Sequence, residues 1–218
     1  MANSKGIQGG VKLTDQATLG LLSELEGNEH VTQRSLSVRV GVALGLTNSL
    51  IKRCVRKGLI KVAQASAKRY SYYVTPKGFR EKSRLVAEYL STSLLFYREA
   101  KDQYGGLFAS LKACGIESVV LCGADELTEI AILAAHEQNV EIQFTVHQGS
   151  NYEQCCGYPV YNNLEILLDE RVEAIIITSI ENPQDVYDRL LDLLPKSIIH
   201  DVPLLHISHS KLTELDNG

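Results

Sequence analysis

The sequence predicts an α/β protein in which three helices and a β-hairpin precede one long helix and then a parallel sheet. The first third of the chain combines helically spaced leucines with two β-prone runs. A stretch without proline or glycine, from Phe79 to Tyr104, predicts a single long helix. Strands and helices alternate after it, which is typical of a parallel sheet. The predicted units are residues 1–78, 79–104 and 105–218.

Composition restricts the class of protein. The 218 residues are 44% hydrophobic and 22% charged, which are ordinary globular values and exclude a collagen-like, disordered or purely coiled-coil chain. No apolar run reaches the roughly 18–20 residues that a membrane span needs, and Met1 to Gly10 lacks an apolar signal core. Five cysteines without CxxC spacing indicate reduced thiols. We therefore expect a cytoplasmic protein without a membrane partner.

The first three helices are predicted from the spacing of apolar residues and from the residues that typically begin and end helices. Leucines at helical spacing predict a first helix that ends near Leu25 and begins behind Thr14 or Asp15. Thr32 precedes a short second helix, Gln33 to Val40, and Gly41 supplies the turn that ends it. The third helix runs from about Ala43 to Lys57, with apolar residues on its inner side and polar or basic residues outside. This order is that of a helix-turn-helix.

A β-hairpin is predicted next. Leu59 to Val62 and Arg69 to Val74 are β-prone runs on either side of a small polar tip, Ala63 to Lys68. Such a hairpin beside a helix-turn-helix forms a wing. Thr75-Pro76 then ends the second strand, because proline cannot donate to a ladder and is well suited to the start of a helix.

Charge divides the chain into halves of opposite sign. Residues 1–104 hold 17 basic and 8 acidic side chains, whereas residues 105–218 hold 5 and 18, although the whole chain carries only −4. A clustered basic half is expected of a protein that binds a polyanion such as double-stranded DNA. An acidic half would be repelled by it. The candidate base contacts are Asn48, Ser49 and Lys52, and the candidate phosphate contacts are Arg53, Arg56, Lys61, Lys68 and Arg69.

Several motifs carry a family resemblance. They include Gln33-Arg-Ser-Leu-Ser, Gly41-Val-Ala-Leu-Gly, Lys57-Gly-Leu-Ile and Tyr73-Val-Thr-Pro-Lys-Gly-Phe. Together they resemble the MarR-type winged-helix regulators associated with bacterial exopolysaccharide gene clusters, over about residues 13–103. The resemblance implies binding of double-stranded DNA and transcriptional control, with the third helix in the major groove. This chain continues for more than one hundred residues beyond the usual end of those regulators.

The long helix also predicts an assembly. Leu85, Tyr89, Ser93, Phe96 and Ala100 form one stripe, and Leu90, Leu94 and Tyr97 form a neighbouring one. Two such helices packed across a two-fold axis would bury both stripes and present two recognition helices to successive major grooves. We expect a homodimer. The alternative is packing of the helix against its own C-terminal domain.

The C-terminal part predicts a Rossmann-like sheet. The expected strands are Ser118 to Cys122, Val140 to Val146, Val172 to Ile180 and Pro203 to Ile207. The expected helices are Thr128 to Glu137, Asn163 to Asp169 and Gln184 to Leu194. Strands that are apolar almost throughout indicate burial on both faces. Ligands of such sheets bind beyond the carboxyl ends of the strands.

Those ends carry the candidate ligand-binding residues: Gly123, Ala124, Asp125, Glu126, His147, Gln148 and Ser179. A dinucleotide fingerprint is absent, and two carboxylates after Gly123 would oppose a pyrophosphate. The stretch Val119 to Ala135 is similar to the Rossmann-like domain that precedes the catalytic domain of bacterial sugar acyltransferases, which implies a nucleotide or nucleotide-sugar effector. No catalytic residue and no metal site is predicted, since the histidines and cysteines lack a ligand or triad spacing.

The function expected from the sequence is that of a dimeric DNA-binding transcriptional regulator modulated by a small ligand. An enzyme that acts on a nucleotide-linked metabolite, with the winged helix as a targeting module, is one alternative. A protein-interaction module, in which the acidic domain docks a basic partner, is the other.

Overall fold

The structure is a computed structural model that describes residues 13–26, 31–66, 69–149, 153–169 and 172–209. The chain divides into two compact units, one up to Leu95 and one from Phe96 onward. The first is a winged helix-turn-helix and the second is built on a parallel sheet, so the predicted fold class is confirmed. None of the helices in the described part of the chain is both long and apolar enough to cross a membrane.

Three short helices form the first part of the N-terminal unit: α1 (Leu13–Leu25), α2 (Gln33–Val40) and α3 (Leu44–Arg56). Thr32 and Ser35 form a reciprocal capping box at the start of α2, which satisfies backbone donors that the helix cannot. Gly41 ends α2 in the left-handed region, with a φ of 70°, and its amide returns to the last turn. A tight turn between α2 and α3 results.

A two-stranded antiparallel hairpin completes this unit: β1 (Ile60–Ser66) and β2 (Arg69–Val74). Ile60 lies opposite Val74, and Tyr72 is buried against the helices. The core consists mainly of leucines and other aliphatic side chains from α1, α2, α3 and β1: Leu21, Leu22, Leu25, Leu36, Leu50, Ile51 and Ile60. The hairpin is therefore held by the same core that positions α3.

The long helix α4 (Pro76–Ala113) is longer than predicted. The sequence predicts its end at Tyr104, before Gly105-Gly106, but the helix continues through both glycines. A glycine inside a helix costs only about 1 kcal/mol relative to alanine. Burial of Phe108 and Leu111 outweighs that cost, because each buried side chain of this size contributes about 1.5–3 kcal/mol. The division between the two compact units falls inside α4.

The C-terminal unit is built on a six-stranded sheet in the order β5-β6-β4-β3-β7-β8. All neighbours are parallel except β5 and β6, which form a hairpin. The strands are β3 (Ser118–Cys122), β4 (Glu141–Val146), β5 (Gln154–Cys155), β6 (Tyr158–Tyr161), β7 (Ile175–Ile177) and β8 (Ile199–His200). The connection after β3 runs to one side of that strand, and the connection after β7 runs to the other. The strand order thus reverses between β3 and β7.

Helices cover both faces of this sheet. They are the C-terminal part of α4 together with α5 (Glu126–Gln138), α6 (Ile166–Asp169) and α7 (Pro183–Leu193). Alternation along β3 separates two cores: Val119 and Leu121 pack with α4 and α5, whereas Val120 and Cys122 pack with α7. The Tyr104 hydroxyl donates to the Ile177 carbonyl at 2.8 Å, which ties α4 to the carboxyl end of β7. Burial on both faces of the sheet is as predicted.

Two predictions at the ends of the sheet are wrong. The expected last strand, Pro203 to Ile207, is instead a 3₁₀ helix at Pro203–Leu205, and the edge strand is β8. Pro203 has no N–H to offer a ladder, and the following turn ends at His206 with a φ of 51°. The sequence also predicts an exposed loop from Tyr152 to Tyr158; in the described part of this range, Gln154–Cys155 is strand β5 and Tyr158 begins β6. The predicted helix from Asn163 and the predicted strand from Val172 to Ile180 are both shorter in the structure.

Gly78 is expected to be intolerant of a side chain. A Cβ at this position would lie 2.2 Å from the Leu59 carbonyl oxygen and 2.8 Å from Val74 Cγ1. Because the first contact is with backbone, Gly78→Ala should lower the free energy of unfolding of the N-terminal unit by about 1–3 kcal/mol. Denaturant unfolding followed by circular dichroism measures the change. Wild-type stability of the variant would contradict this packing.

Gly106 provides the opposite case. A Cβ there would meet nothing within 4 Å, and the residue lies inside α4. Gly106→Ala should therefore stabilise the helix locally by about 1 kcal/mol through backbone propensity. Native-state hydrogen exchange of the amides around residues 102–112 should show slower exchange. Unchanged or faster exchange would indicate that the helix is interrupted at these glycines.

Candidate nucleic-acid interface and ligand cavities

Helix α3 separates its residues into an inner and an outer face. Thr47, Leu50, Ile51 and Cys54 are buried against α1, α2 and the hairpin. Ser49, Lys52 and Arg56 are exposed, at helical spacings of three and four, so they lie on one side of the helix. The outer face is therefore polar and basic, as the sequence predicts for an element that contacts DNA.

The cations of this face are without partners in the part of the chain that the structure describes. Among the described residues, no ion pair or side-chain hydrogen bond is formed by Lys52, Arg53, Arg56 or Lys61. Some cations elsewhere in the unit are paired. Arg84 lies 3.0 Å from Glu81 and 2.7 Å from Glu88 along α4, and Arg39 lies 3.3 Å from Glu24. The unpaired charges are thus free to neutralise phosphates.

Asn48 and Ser49, the other two candidate base contacts, differ in accessibility. Ser49 is exposed, and its hydroxyl donates to the Gly45 carbonyl at 3.0 Å, which leaves its oxygen available as an acceptor. Asn48 is half-buried, and its Oδ1 is enclosed without a hydrogen-bond partner among the described residues. Asn48 therefore lies at the border of the exposed face.

The hairpin brings further residues to this side. Lys61 is exposed on β1, opposite Tyr73 on β2. Gln33 Nε2 donates to the Tyr72 hydroxyl at 3.2 Å, which joins α2 to the hairpin. Arg69 begins β2, but its side chain is outside the described part of the structure, and Lys68 is outside the described residues.

An apolar groove of about 360 Å³ separates α3 from the hairpin. Ile51, Val55, Val62, Tyr70 and Tyr72 line it, with Lys52 and Arg56 at the same surface. The sequence favours core and wing packing over base stacking for Tyr70 and Tyr72. Tyr72 meets that expectation because it is 3% exposed, whereas Tyr70 is 55% exposed.

The C-terminal unit contains two cavities beyond the carboxyl ends of its parallel strands. The larger has a volume of about 660 Å³ and the smaller about 250 Å³. Both lie around the place where the strand order reverses, which is where open α/β sheets bind ligands. The larger is lined by Ala124, Asp125, Glu126 and His147 of the predicted set, and the smaller by Gly123, His147, Gln148 and Ser179.

Asp125 connects two strand ends at this position. Its Oδ1 accepts from the amides of Leu127 at 3.0 Å and Thr128 at 3.3 Å, so it caps α5. Its Oδ2 accepts from the Ile180 amide, beyond β7, at 2.8 Å. These bonds occupy amides of the first turn of α5 that would otherwise bind a phosphate. The start of α5 is therefore closed to a dinucleotide of the ordinary kind.

Gly123 is enclosed by the same two strand ends. A Cβ on this residue would lie 2.5 Å from Thr178 Oγ1 and 2.7 Å from Thr128 Oγ1. Those two hydroxyls are themselves hydrogen bonded at 2.9 Å. Gly123 thus permits the close approach of β3, α5 and β7, and its role in the site is structural.

The sequence misses several residues that line these cavities. Glu129, Gln154, Cys155 and Cys156 line the larger one, together with Glu181, which directly follows the predicted strand Val172 to Ile180. Asn182, Asp185 and Arg189, from the start of α7, line the smaller one. The residues outside the strand ends have no local signal, because the β5–β6 hairpin and the orientation of α7 are tertiary features.

Cys155, which lines the larger cavity, is not an activated nucleophile. Burial and the neighbouring Cys156 raise the pKa of the Cys155 thiol to about 11, so it stays protonated at neutral pH. Cys155 is 9% exposed. Within the described ranges, no group of three or more His, Cys, Asp or Glu side chains is arranged to hold a metal ion.

Comparison with known proteins bears on the N-terminal unit. No curated protein matches the chain. Among solved structures, the PcaV transcriptional regulator of Streptomyces coelicolor with its natural ligand is 19% identical, covers 42% of this chain and 64% of its own, and gives a TM-score of 0.35. A MarR-family regulator of Silicibacter pomeroyi is 16% identical, with coverages of 38% and 56% and a TM-score of 0.33. The chain thus spans less than two thirds of the length of these proteins.

A family model gives the more direct result. Residues 14–61 match the family described as winged helix-turn-helix DNA-binding. The match covers α1, α2 and α3 and ends at the beginning of β1. Sequence family and observed geometry therefore agree that the N-terminal unit carries a winged helix-turn-helix of the DNA-binding kind.

Proposed function

We propose that this protein is a DNA-binding transcriptional regulator whose activity is modulated by a ligand in the C-terminal unit. The observation that carries the proposal is the basic face of α3 and β1, whose cations Lys52, Arg53, Arg56 and Lys61 form no ion pair with the described residues. A helix-turn-helix places such a face in the major groove. The match of residues 14–61 to a DNA-binding family supports the same assignment.

The roles of individual residues follow from their exposure. Ser49 and Lys52 are assigned to base edges, because they are exposed on the outer face of α3. Asn48 belongs to the same group and must turn its amide outward to pair with adenine. Phosphate contacts are assigned to the remaining cations of the face and the hairpin: Arg53, Arg56, Lys61, Lys68 and Arg69. Because residues 13–103 resemble regulators associated with exopolysaccharide gene clusters, polysaccharide genes are the first targets to examine.

Regulation is proposed to work by a shift of population. A ligand that binds one conformation of the protein more tightly than another moves the equilibrium by that difference in affinity. The two cavities at the carboxyl edge of the sheet are the proposed site, lined by the seven candidate residues Gly123, Ala124, Asp125, Glu126, His147, Gln148 and Ser179. In a dimer, binding of the ligand would change how well the two recognition helices fit half-sites about 34 Å apart.

A homodimer is proposed to form through the middle of α4. Within this helix, Leu85 is 1% exposed and Ala100 is 0% exposed. Between them the apolar side chains Tyr89, Leu90 and Leu94 are 46%, 53% and 53% exposed. An apolar strip of this kind on one helix is typical of an interaction surface. A second copy of the helix would cover it across a two-fold axis.

Removal of two unpaired cations should weaken DNA binding. Each lost phosphate contact reduces the slope of log K against log salt by about 0.9, so Lys52→Ala with Arg56→Ala should reduce it by about 2 and the affinity by about tenfold or more. Fluorescence anisotropy with fragments of the protein's own locus, across a salt series, measures both quantities. Arg84→Ala is the matched control, because this arginine is already paired with Glu81 and Glu88. An unchanged slope in the double variant would refute the assigned face.

Charge placed in the α4 strip should disrupt the dimer. Leu90→Glu with Leu94→Glu would bring four carboxylates together across the proposed two-fold axis, in an apolar contact, and should yield monomers. Light scattering coupled to size-exclusion chromatography reports the mass. Ser91→Glu, at an exposed position of the same helix outside the strip, should leave the mass unchanged. A wild-type mass for the double variant would place the dimer contact elsewhere.

A further inference from the structure

The first turn of α3 carries an exposed leucine on the outer side of the helix. Leu46 is 48% exposed and is not among the described residues that form the core of the N-terminal unit. It lies three residues before Ser49 and seven before Arg53, so the three side chains share one side of the helix. An apolar side chain therefore lies within a face that is otherwise polar and basic.

Packing within the unit accounts for other apolar side chains of α3 but not for Leu46. Leu50, Ile51 and Cys54 are buried in the core. Leu44 is 44% exposed, but it lies two residues before Leu46, which is nearly half a turn around the helix. Leu46 is thus the leucine that the outer face presents.

Gly45, the neighbour of Leu46, is a second feature of this turn that the fold does not require. A Cβ at Gly45 would meet no described atom within 4 Å, and its φ is not in the left-handed region. Inside a helix a glycine costs about 1 kcal/mol relative to alanine, so alanine would favour α3. Glycine is, however, the residue that lets a ligand approach the backbone closely.

The position of these two residues selects the group that they meet in a DNA duplex. A recognition helix contacts base edges with its N-terminal residues. In the major groove, thymine presents a 5-methyl group, whereas the edges of the other bases present hydrogen-bonding groups. A leucine against such a group would remove it from water without replacing the hydrogen bond. Lys52 and Arg53, on the same helix, complement the phosphates that flank the groove.

We propose that Leu46 contacts the 5-methyl group of a thymine in the major groove, and that Gly45 permits the close approach which this contact needs. The inference rests on the proposed function, because it assigns a base preference to the DNA-binding face. Leu46 is then a specificity-determining residue beside Ser49 and Lys52. The bound sequence carries a thymine at the position that faces the first turn of α3.

The methyl group can be removed from DNA without changing its base pairing. A fragment of the protein's own locus is amplified once with thymidine triphosphate and once with deoxyuridine triphosphate, since uracil pairs as thymine does but lacks the 5-methyl group. Fluorescence anisotropy with the full chain, at one salt concentration, compares the two affinities. The wild-type protein should bind the thymine fragment about threefold to tenfold more tightly, as expected for burial of a methyl group in each half-site.

Variants assign this preference to Leu46. Leu46→Ala should bind the thymine fragment several-fold more weakly than wild type and should no longer distinguish the two fragments. Leu46→Met keeps an apolar side chain of similar length and should retain the preference. Leu44→Ala removes an exposed leucine from another side of the same turn, and should leave both affinities as in wild type. A thymine preference that survives Leu46→Ala would overturn the proposal.

The fold of each variant is checked by thermal unfolding. Leu46→Ala should melt as wild type does, because its side chain is outside the described core. Gly45→Ala should melt no lower than wild type, because its Cβ meets no described atom, yet it should bind the thymine fragment several-fold more weakly. Wild-type DNA affinity of Gly45→Ala would contradict the close approach.

The inference and the proposed function fail in different ways. If the wild-type protein binds both fragments equally well, DNA binding stands and the methyl contact is refuted. If Leu46→Ala binds both fragments as wild type does, the leucine does not contact DNA. If the wild-type protein binds neither fragment at modest salt, the proposed function fails and the thymine contact fails with it.

Discussion

The Asp125 carboxylate is the interaction on which the C-terminal unit depends most. It accepts two amides at the start of α5 and one beyond β7, and so joins the ends of two parallel strands where the sheet changes direction. A hydrogen bond to a charged group contributes about 1.5–3 kcal/mol, and loss of this carboxylate would leave several donors unpaired at once. Asp125 and Ile180, which one of these bonds joins, also line the larger cavity. The hydrogen bonds of Asp125 that join the strand ends therefore also determine which groups are accessible to a ligand there.

Charge is distributed differently in the two units. In the N-terminal unit, the cations on α3 and β1 form no ion pair with the described residues, while Arg39 on α2 and Arg84 on α4 are held by glutamates. In the C-terminal unit, glutamates line the larger cavity. Charges of one sign at close range repel one another. For the basic face of the N-terminal unit, the proposed partner of opposite sign is a polyanion.

Local signals in the sequence are enough to predict the N-terminal unit. The Thr32 cap, Gly41 in the left-handed region, and the inner face of α3 are properties of consecutive residues, and each is found where expected. The accessibility of Asn48, in contrast, cannot be predicted from consecutive residues. Helical spacing places it near Ser49 and Lys52, but only the packed structure shows that its Oδ1 is enclosed.

The C-terminal unit shows where local signals end. The apolar runs of β3, β4 and β7 predict buried parallel strands, and the sheet contains them. Gly105-Gly106 indicates a helix end by composition alone, yet burial of Phe108 and Leu111 keeps α4 intact. The short strands β5 and β8 depend on pairing with distant segments, so no window of sequence reveals them. Glu129, which lines the larger cavity together with Gln154 and Cys155 of this hairpin, went unpredicted for the same reason.

Opposite signs on the two units also govern how molecules of this protein meet one another. A chain with an excess of nine positive charges before Gly105 and thirteen negative charges after it presents complementary surfaces to its own copies. At low ionic strength, where the Debye length reaches about 30 Å, the basic part of one molecule attracts the acidic part of the next. Self-association of this kind would compete with DNA for the proposed face of α3.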